Sequence, residues 1–225
     1  MKPTAHGPIR IGAAVRVRAA HGLRLTLPLA LSLALAVAVL LAGCVTAQRK
    51  PAVPQLPWPE RRARLQALDP YELAGRVAVA AGSDAFNAHL TWKQQGARST
   101  VELNGPLGIG GMHVVADGET LDVRTSKGER LASDEARAEL EDKLGFEPPL
   151  TSLRYWLLGV PDPASPATEM VGADQHLASL IQDGWQITYP DYLEANGYSL
   201  PRRLTLRRGD VRVRLVVDHW QPRSG

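Results

Sequence analysis

The chain has 225 residues, with 26 Lys and Arg against 23 Asp and Glu and one cysteine, which excludes a disulfide framework and a cysteine-rich zinc site. Its formal net charge of +3 does not mark a nucleic-acid binder. Lys2, Arg10, Arg16, Arg18 and Arg24 all precede Cys44, and without those five the remainder carries 21 basic against 23 acidic residues, so no nucleic-acid partner is expected.

Residues 1–43 are predicted to be a secretory signal: the basic segment is followed by the uncharged run Leu25 to Ala42 and then by Leu41-Ala42-Gly43-Cys44. That run is near the lower limit of roughly 17–25 residues for a membrane span, so length does not separate a signal from a retained anchor. The position of the sole cysteine does, because Leu-Ala-Gly-Cys resembles the lipobox of bacterial lipoproteins. The resemblance implies cleavage before Cys44, S-diacylglycerol on its thiol and an acyl chain on its new amine. No other cofactor is expected. Val45 follows, not the Asp that resembles an inner-membrane retention signal, so an outer-membrane location is expected. Residues 44–59, with Pro51, Pro54, Pro57 and Pro59, are predicted to be an extended tether. Residues 60–225 are long enough for one domain with its own core.

Within that domain, Glu60 to Leu68 is predicted to be a short helix ended by Pro70. YELAGRVAVA, AFNAHLTWKQ, STVELNG, MHVVADG and TLDVRT alternate apolar and polar residues between turn residues, the pattern of antiparallel strands with one buried face. Ser133 is the expected N-cap of a helix whose Ala136, Leu140 and Leu144 share a face and which Gly145 ends. A second short helix is expected from Pro149 to Gly159, and VPDPASPATEM is expected to be a loop. HLASLIQDGWQITYP and PRRLTLRRGDVRVRLVVDHW are predicted hairpins, turning at Asp183-Gly184 and Arg208-Gly209-Asp210. Nine to eleven strands with one helical insertion are expected.

The motifs for common chemistries fail. NGPLGIGG, residues 104 to 111, is glycine-rich, but a strand pattern follows it and no lysine lies in it, so it lacks the helix N-terminus and cation of a phosphate cradle. His89, His113, His176 and His219 are far apart and lack zinc-site spacing. No G-x-S-x-G elbow occurs. Trp58, Trp92, Trp156, Trp185 and Trp220 fall on apolar faces, either packing a solid core or lining a hollow.

The order YELAGRVAV, AHLTWKQ, NGPLGIGG, LTSLRYWLLGVP, DGWQITYPDY, LPRRLTL and VRLVVDHW, after a lipobox cysteine, resembles the LolB family of outer-membrane lipoprotein receptors, from about Tyr71 to Trp220. The resemblance implies an unclosed antiparallel β-barrel covered by short helices around an apolar cavity. It implies partners too: a LolA-type periplasmic carrier, acylated lipoprotein cargo and outer-membrane lipid. It implies a monomer, lipid-anchored to the inner leaflet and facing the periplasm. The protruding apolar loop residue of the family corresponds to Leu107, with Ile109 beside it. Given such a cavity, the alternating faces nominate as its lining Val77, Val79, Phe86, Leu90, Trp92, Val101, Leu103, Leu153, Trp156, Leu157, Trp185, Ile187 and Leu204. Two other readings are open: a lipocalin-like carrier of small apolar ligands, and a structural envelope lipoprotein with a solid core. An enzyme is not expected.

Overall fold

The computed structural model describes residues 56–106 and 110–223. Cys44, most of the tether, Leu107 and Ile109 lie outside the described residues. Helix α1 (Trp58–Gln66) begins two residues before the predicted start. Pro59 stands in its first turn, where a missing N–H costs no helical hydrogen bond.

Six strands follow: β1 (Tyr71–Ala81), β2 (Asp84–Gln95), β3 (Arg98–Asn104), β4 (Met112–Asp117), β5 (Thr120–Thr125) and β6 (Arg130–Ala132). Then come helices α2 (Ser133–Leu144) and α3 (Leu150–Trp156). The chain ends in β7 (Ala167–Val171), β8 (Leu177–Gln182), β9 (Trp185–Ala195), β10 (Tyr198–Arg208) and β11 (Val211–Pro222). All eleven strands form one antiparallel sheet in the order β6-β5-β4-β3-β2-β1-β11-β10-β9-β8-β7. The two edges, β6 and β7, do not pair, so the barrel is unclosed. The chain leaves one edge, passes through α2 and α3, and returns at the other. Connectivity alone therefore sends the helices across the opening.

Alternation builds the inner face. Leu73, Val77 and Val79 of β1, Leu90 and Trp92 of β2, and Leu204, Leu206, Leu215 and Val217 of β10 and β11 are buried, with polar or half-exposed residues between them. The centre of the sheet closes by the pairing of β1 with β11, from opposite ends of the domain. The register slips at Ala74/Gly75, and there a Cβ on Gly75 would collide with the Val216 carbonyl. Only glycine admits that close approach.

Two expectations change. Ser133 does not cap α2: Ala132 holds the N-cap position, no side chain caps the helix, and Ser133 itself has φ 53°. The end of VPDPASPATEM is not loop but the edge strand β7, where a row of alternating residues was masked by the prolines before it. Gly145 (φ 75°) ends α2 in the left-handed region, as its position suggests.

Candidate functional site: an apolar cavity under the helices

Between the inner face of the sheet and the helical insertion lies a cavity of about 100 Å³. The sheet contributes Val77 and Val79 from β1, Phe86, Leu90 and Trp92 from β2, Val101 and Leu103 from β3, Val114 from β4, and Leu204, Leu206, Val213 and Leu215 from β10 and β11. The cover contributes Leu140, Leu144, Phe146, Pro148, Leu150, Leu153 and Leu157. Every lining residue is apolar. The one indole N–H among them, on Trp92, is donated to Gln94 Oε1 at 3.0 Å. A lining of this kind suits an apolar guest.

The two helices are held differently. α3 is tied down by hydrogen bonds: Tyr71 Oη donates to the Arg154 carbonyl at 2.5 Å, Tyr189 Oη to the Trp156 carbonyl at 3.0 Å, and Trp156 Nε1 to Gln182 Oε1 at 2.7 Å. Gln182 is buried, and its oxygen also accepts the Asp162 N–H at 2.9 Å. For α2, no side-chain hydrogen bond to the sheet occurs among the described residues. Its Arg137 bonds Asp134 and Glu147, within the insertion, and its attachment is through Ala136, Leu140 and Leu144.

The surface cluster around His176 lies apart from the cavity. His176 Nε2 is 2.9 Å from Ser199 Oγ, and its Nδ1 is 2.8 Å from the Asp174 carbonyl oxygen. The Asp174 carboxylate is 62% exposed, so the arrangement lacks the buried carboxylate of a catalytic triad. Its role is structural: Arg61 of α1 donates to the Ser199 carbonyl, and Trp58 N–H to Gln175 Oε1 at 3.0 Å, so the cluster anchors α1.

Residues 69–220 match the family model described as outer membrane lipoprotein LolB. The outer-membrane lipoprotein LolB of Nitrosococcus oceani is 36% identical over 185 residues, covering 81% of this chain and 92% of the relative. That of Ectopseudomonas mendocina is 34% identical over 189 residues, covering 82% and 93%. The chain belongs to the LolB family. Among solved structures, a LolA superfamily protein from Nitrosomonas europaea aligns with a TM-score of 0.47 at 10% identity, covering 76% of this chain and 95% of that one.

In this LolB-family chain, ten of the thirteen nominated residues meet at the cavity: Val77, Val79, Phe86, Leu90, Trp92, Val101, Leu103, Leu153, Leu157 and Leu204. Trp156, Trp185 and Ile187 do not. They are buried in solid core, with Trp156 and Trp185 rings 6.4 Å apart. Trp185 packs behind Phe146, ring centroids 5.6 Å apart, and Phe146 is the residue that reaches the void. The helical insertion fills the β8–β9 side, and the hollow is confined to β1–β4, β10 and β11. Leu206, Val213 and Leu215 were missed although they share the alternation of Leu204. Leu140 and Leu144 share a helix face whose destination residue order does not state; it is this cavity.

Proposed function

We propose that this chain is an outer-membrane-anchored receptor that accepts acylated lipoproteins from a LolA-type periplasmic carrier into its apolar cavity and passes them to the outer membrane without ATP. The observation that carries the reading is the wholly apolar lining of the cavity. Membership of a family named for an outer membrane lipoprotein supports the location. In the same reading the protein is tethered by lipid on Cys44 and faces the periplasm from the inner leaflet. Each acyl CH₂ contributes about 0.8 kcal/mol on burial, so a lipoprotein crossing water bare would cost tens of kcal/mol. Direction then comes from affinity: the receptor holds acyl chains more tightly than the carrier, and the bilayer more tightly still.

At about 100 Å³ the resting cavity is smaller than an acyl chain, since a cavity of about 150 Å³ takes one benzene. Cargo entry therefore has to part the cover from the sheet. α2, held by apolar contacts, is the side that yields, because the arriving hydrocarbon replaces the contacts it breaks. The apolar lining is also open to the second reading, a carrier of small apolar ligands, which at this resting size needs the same parting of the cover. Mass analysis of lipid that co-purifies with the protein separates the two.

The decisive experiment mixes the chain with a carrier loaded with radiolabelled lipoprotein, without nucleotide. The label is expected to move to the chain and then into liposomes. Label that stays on the carrier overturns the reading. Leu107 is proposed as the membrane-touching tip of the β3–β4 connection, with Ile109 assisting. Leu107→Glu is expected to leave carrier-to-receptor transfer within about two-fold while reducing insertion into liposomes at least ten-fold, because a carboxylate resists entry into hydrocarbon. Insertion at the normal rate would remove that role.

A further inference from the structure

The outer face of the sheet carries an arginine cluster that forms no ion pair among the described residues. Arg207 of β10 and Arg212 of β11 stand directly opposite each other, and Arg214 lies opposite Thr205 on the same face. Among the described residues, none of the three guanidinium groups is within ion-pair distance of a carboxylate. Arg212 Nε, buried, has no hydrogen-bond partner there. Burial, then Arg214 and Arg207, pull the Arg212 pKa down from its ordinary value. Like charges facing each other across a strand pair oppose folding, so fold stability does not account for this arrangement.

Register shows what surrounds the cluster. One row across the outer face runs Ala85, Ala80, Arg212, Arg207, Gln186, Ile181, Thr168. The next runs Asn87, Ala78, Arg214, Thr205, Thr188, Ser179, Met170. Neither row contains a carboxylate. The first holds Ile181, 51% exposed, beside Thr168 at the edge, and the second ends in Met170, 64% exposed; these are the most exposed large apolar side chains among the described residues. The acids of this face are farther along the strands, where Asp218 pairs with Arg76 at 2.9 Å and Asp191 with Arg203 at 3.0 Å. Asp84, Asp183 and Asp210 stand at the hairpin turns beside the rows. The rows lie at the end of the sheet where the β1–β2, β8–β9 and β10–β11 hairpins turn and the β3–β4 connection departs.

We propose that this outer face is a docking surface for anionic phospholipid, Arg207, Arg212 and Arg214 taking headgroup phosphates while Met170 and Ile181 enter the interface. The proposal rests on the reading that the domain works at a membrane. Guanidinium forks match phosphate oxygens two at a time. Cations and exposed apolar side chains on one face, here two to four strands apart, are the composition of a surface that lies in a lipid interface. The segregation is sharp because the chain after Cys44 has more acids than bases, yet these rows have none of the acids.

The test uses the acylated full chain carrying Met170→Cys, labelled on that thiol with the fluorophore NBD. Cys44, the one natural cysteine, is blocked by lipid in this form. The protein is reconstituted into vesicles of phosphatidylethanolamine and phosphatidylcholine, with or without about a third of phosphatidylglycerol. Phosphatidylglycerol is expected to blue-shift and brighten the emission, and about 0.5 M NaCl to reverse the change by screening. Each of Arg207→Gln, Arg212→Gln and Arg214→Gln is expected to lower the ratio of docked to undocked chains about five-fold. Their unfolding midpoints should rise or hold as mutual repulsion is relieved, which separates lost docking from lost folding. Emission that ignores phosphatidylglycerol, or a triple variant that responds like the parent, overturns the proposal. So does a response elicited only by adding carrier protein to uncharged vesicles, which would make the face a protein interface. Lipoprotein transfer from the carrier to the triple variant is expected to persist; its failure in the unsubstituted chain would fault the receptor reading instead.

Discussion

Val101, in the middle of β3, points into the void and is 5% exposed. Val101→Phe would place a ring in that space. Empty volume costs about 24 cal/mol per Å³, so partial filling is expected to hold or raise stability by about 1 kcal/mol, read from the urea midpoint. Binding of an acylated peptide should fall at least ten-fold. Undiminished binding would show that acyl chains go elsewhere. The same distinction explains Trp185 and Ile187 of β9, while Trp156 of α3 is held on the solid side by its hydrogen bond to Gln182. Alternation assigns a residue to a face of the sheet, but not to the side of that face where a helix is already packed. Trp185 and Phe146 differ by one layer of packing, and nothing in the residue order records that layer.

At the level of elements, the strands are legible because each half-buried strand must repeat every second residue, and nine of the eleven lie in segments that show this pattern. β7 was hidden by the prolines before it, and β6, three residues long, is too short to show a period. The unequal attachment of α2 and α3 could not be read at all, because the partners of Trp156 and Arg154 come from β8 and β1. It has a dynamic consequence. Amides of α2 are expected to exchange with deuterium at least ten-fold faster than those of α3, an opening free energy lower by about 1.4 kcal/mol. Equal protection of the two helices would contradict α2 as the yielding part of the cover.

For the whole molecule, stability is coupled to pH through the α1 anchor. Burial first, then the Arg61 charge, hold the His176 pKa below its ordinary value, against the opposing pull of Asp174 and Glu194. The folded state therefore binds fewer protons than the unfolded one as pH falls past the ordinary histidine value of about 6.5. Stability present above that value is lost as pH drops from it through the lowered folded-state pKa. Urea midpoints measured at pH 7.5 and pH 5.5 should fall on acidification, and His176→Gln should flatten the difference. An unchanged slope in that variant would place the dependence elsewhere.

The class of the fold, the identity of the family and most of the cavity wall are legible in residue order. These follow from local periodicity and from motifs kept in order along the chain. Folding alone sets how much of the inner face is hollow, which helix lacks side-chain hydrogen bonds to the sheet, and that Arg207, Arg212 and Arg214 share an outer face with Ile181 and Met170. Those properties belong to strand register and to packing between residues up to more than a hundred positions apart. Residue order constrains them only through the folded geometry it produces.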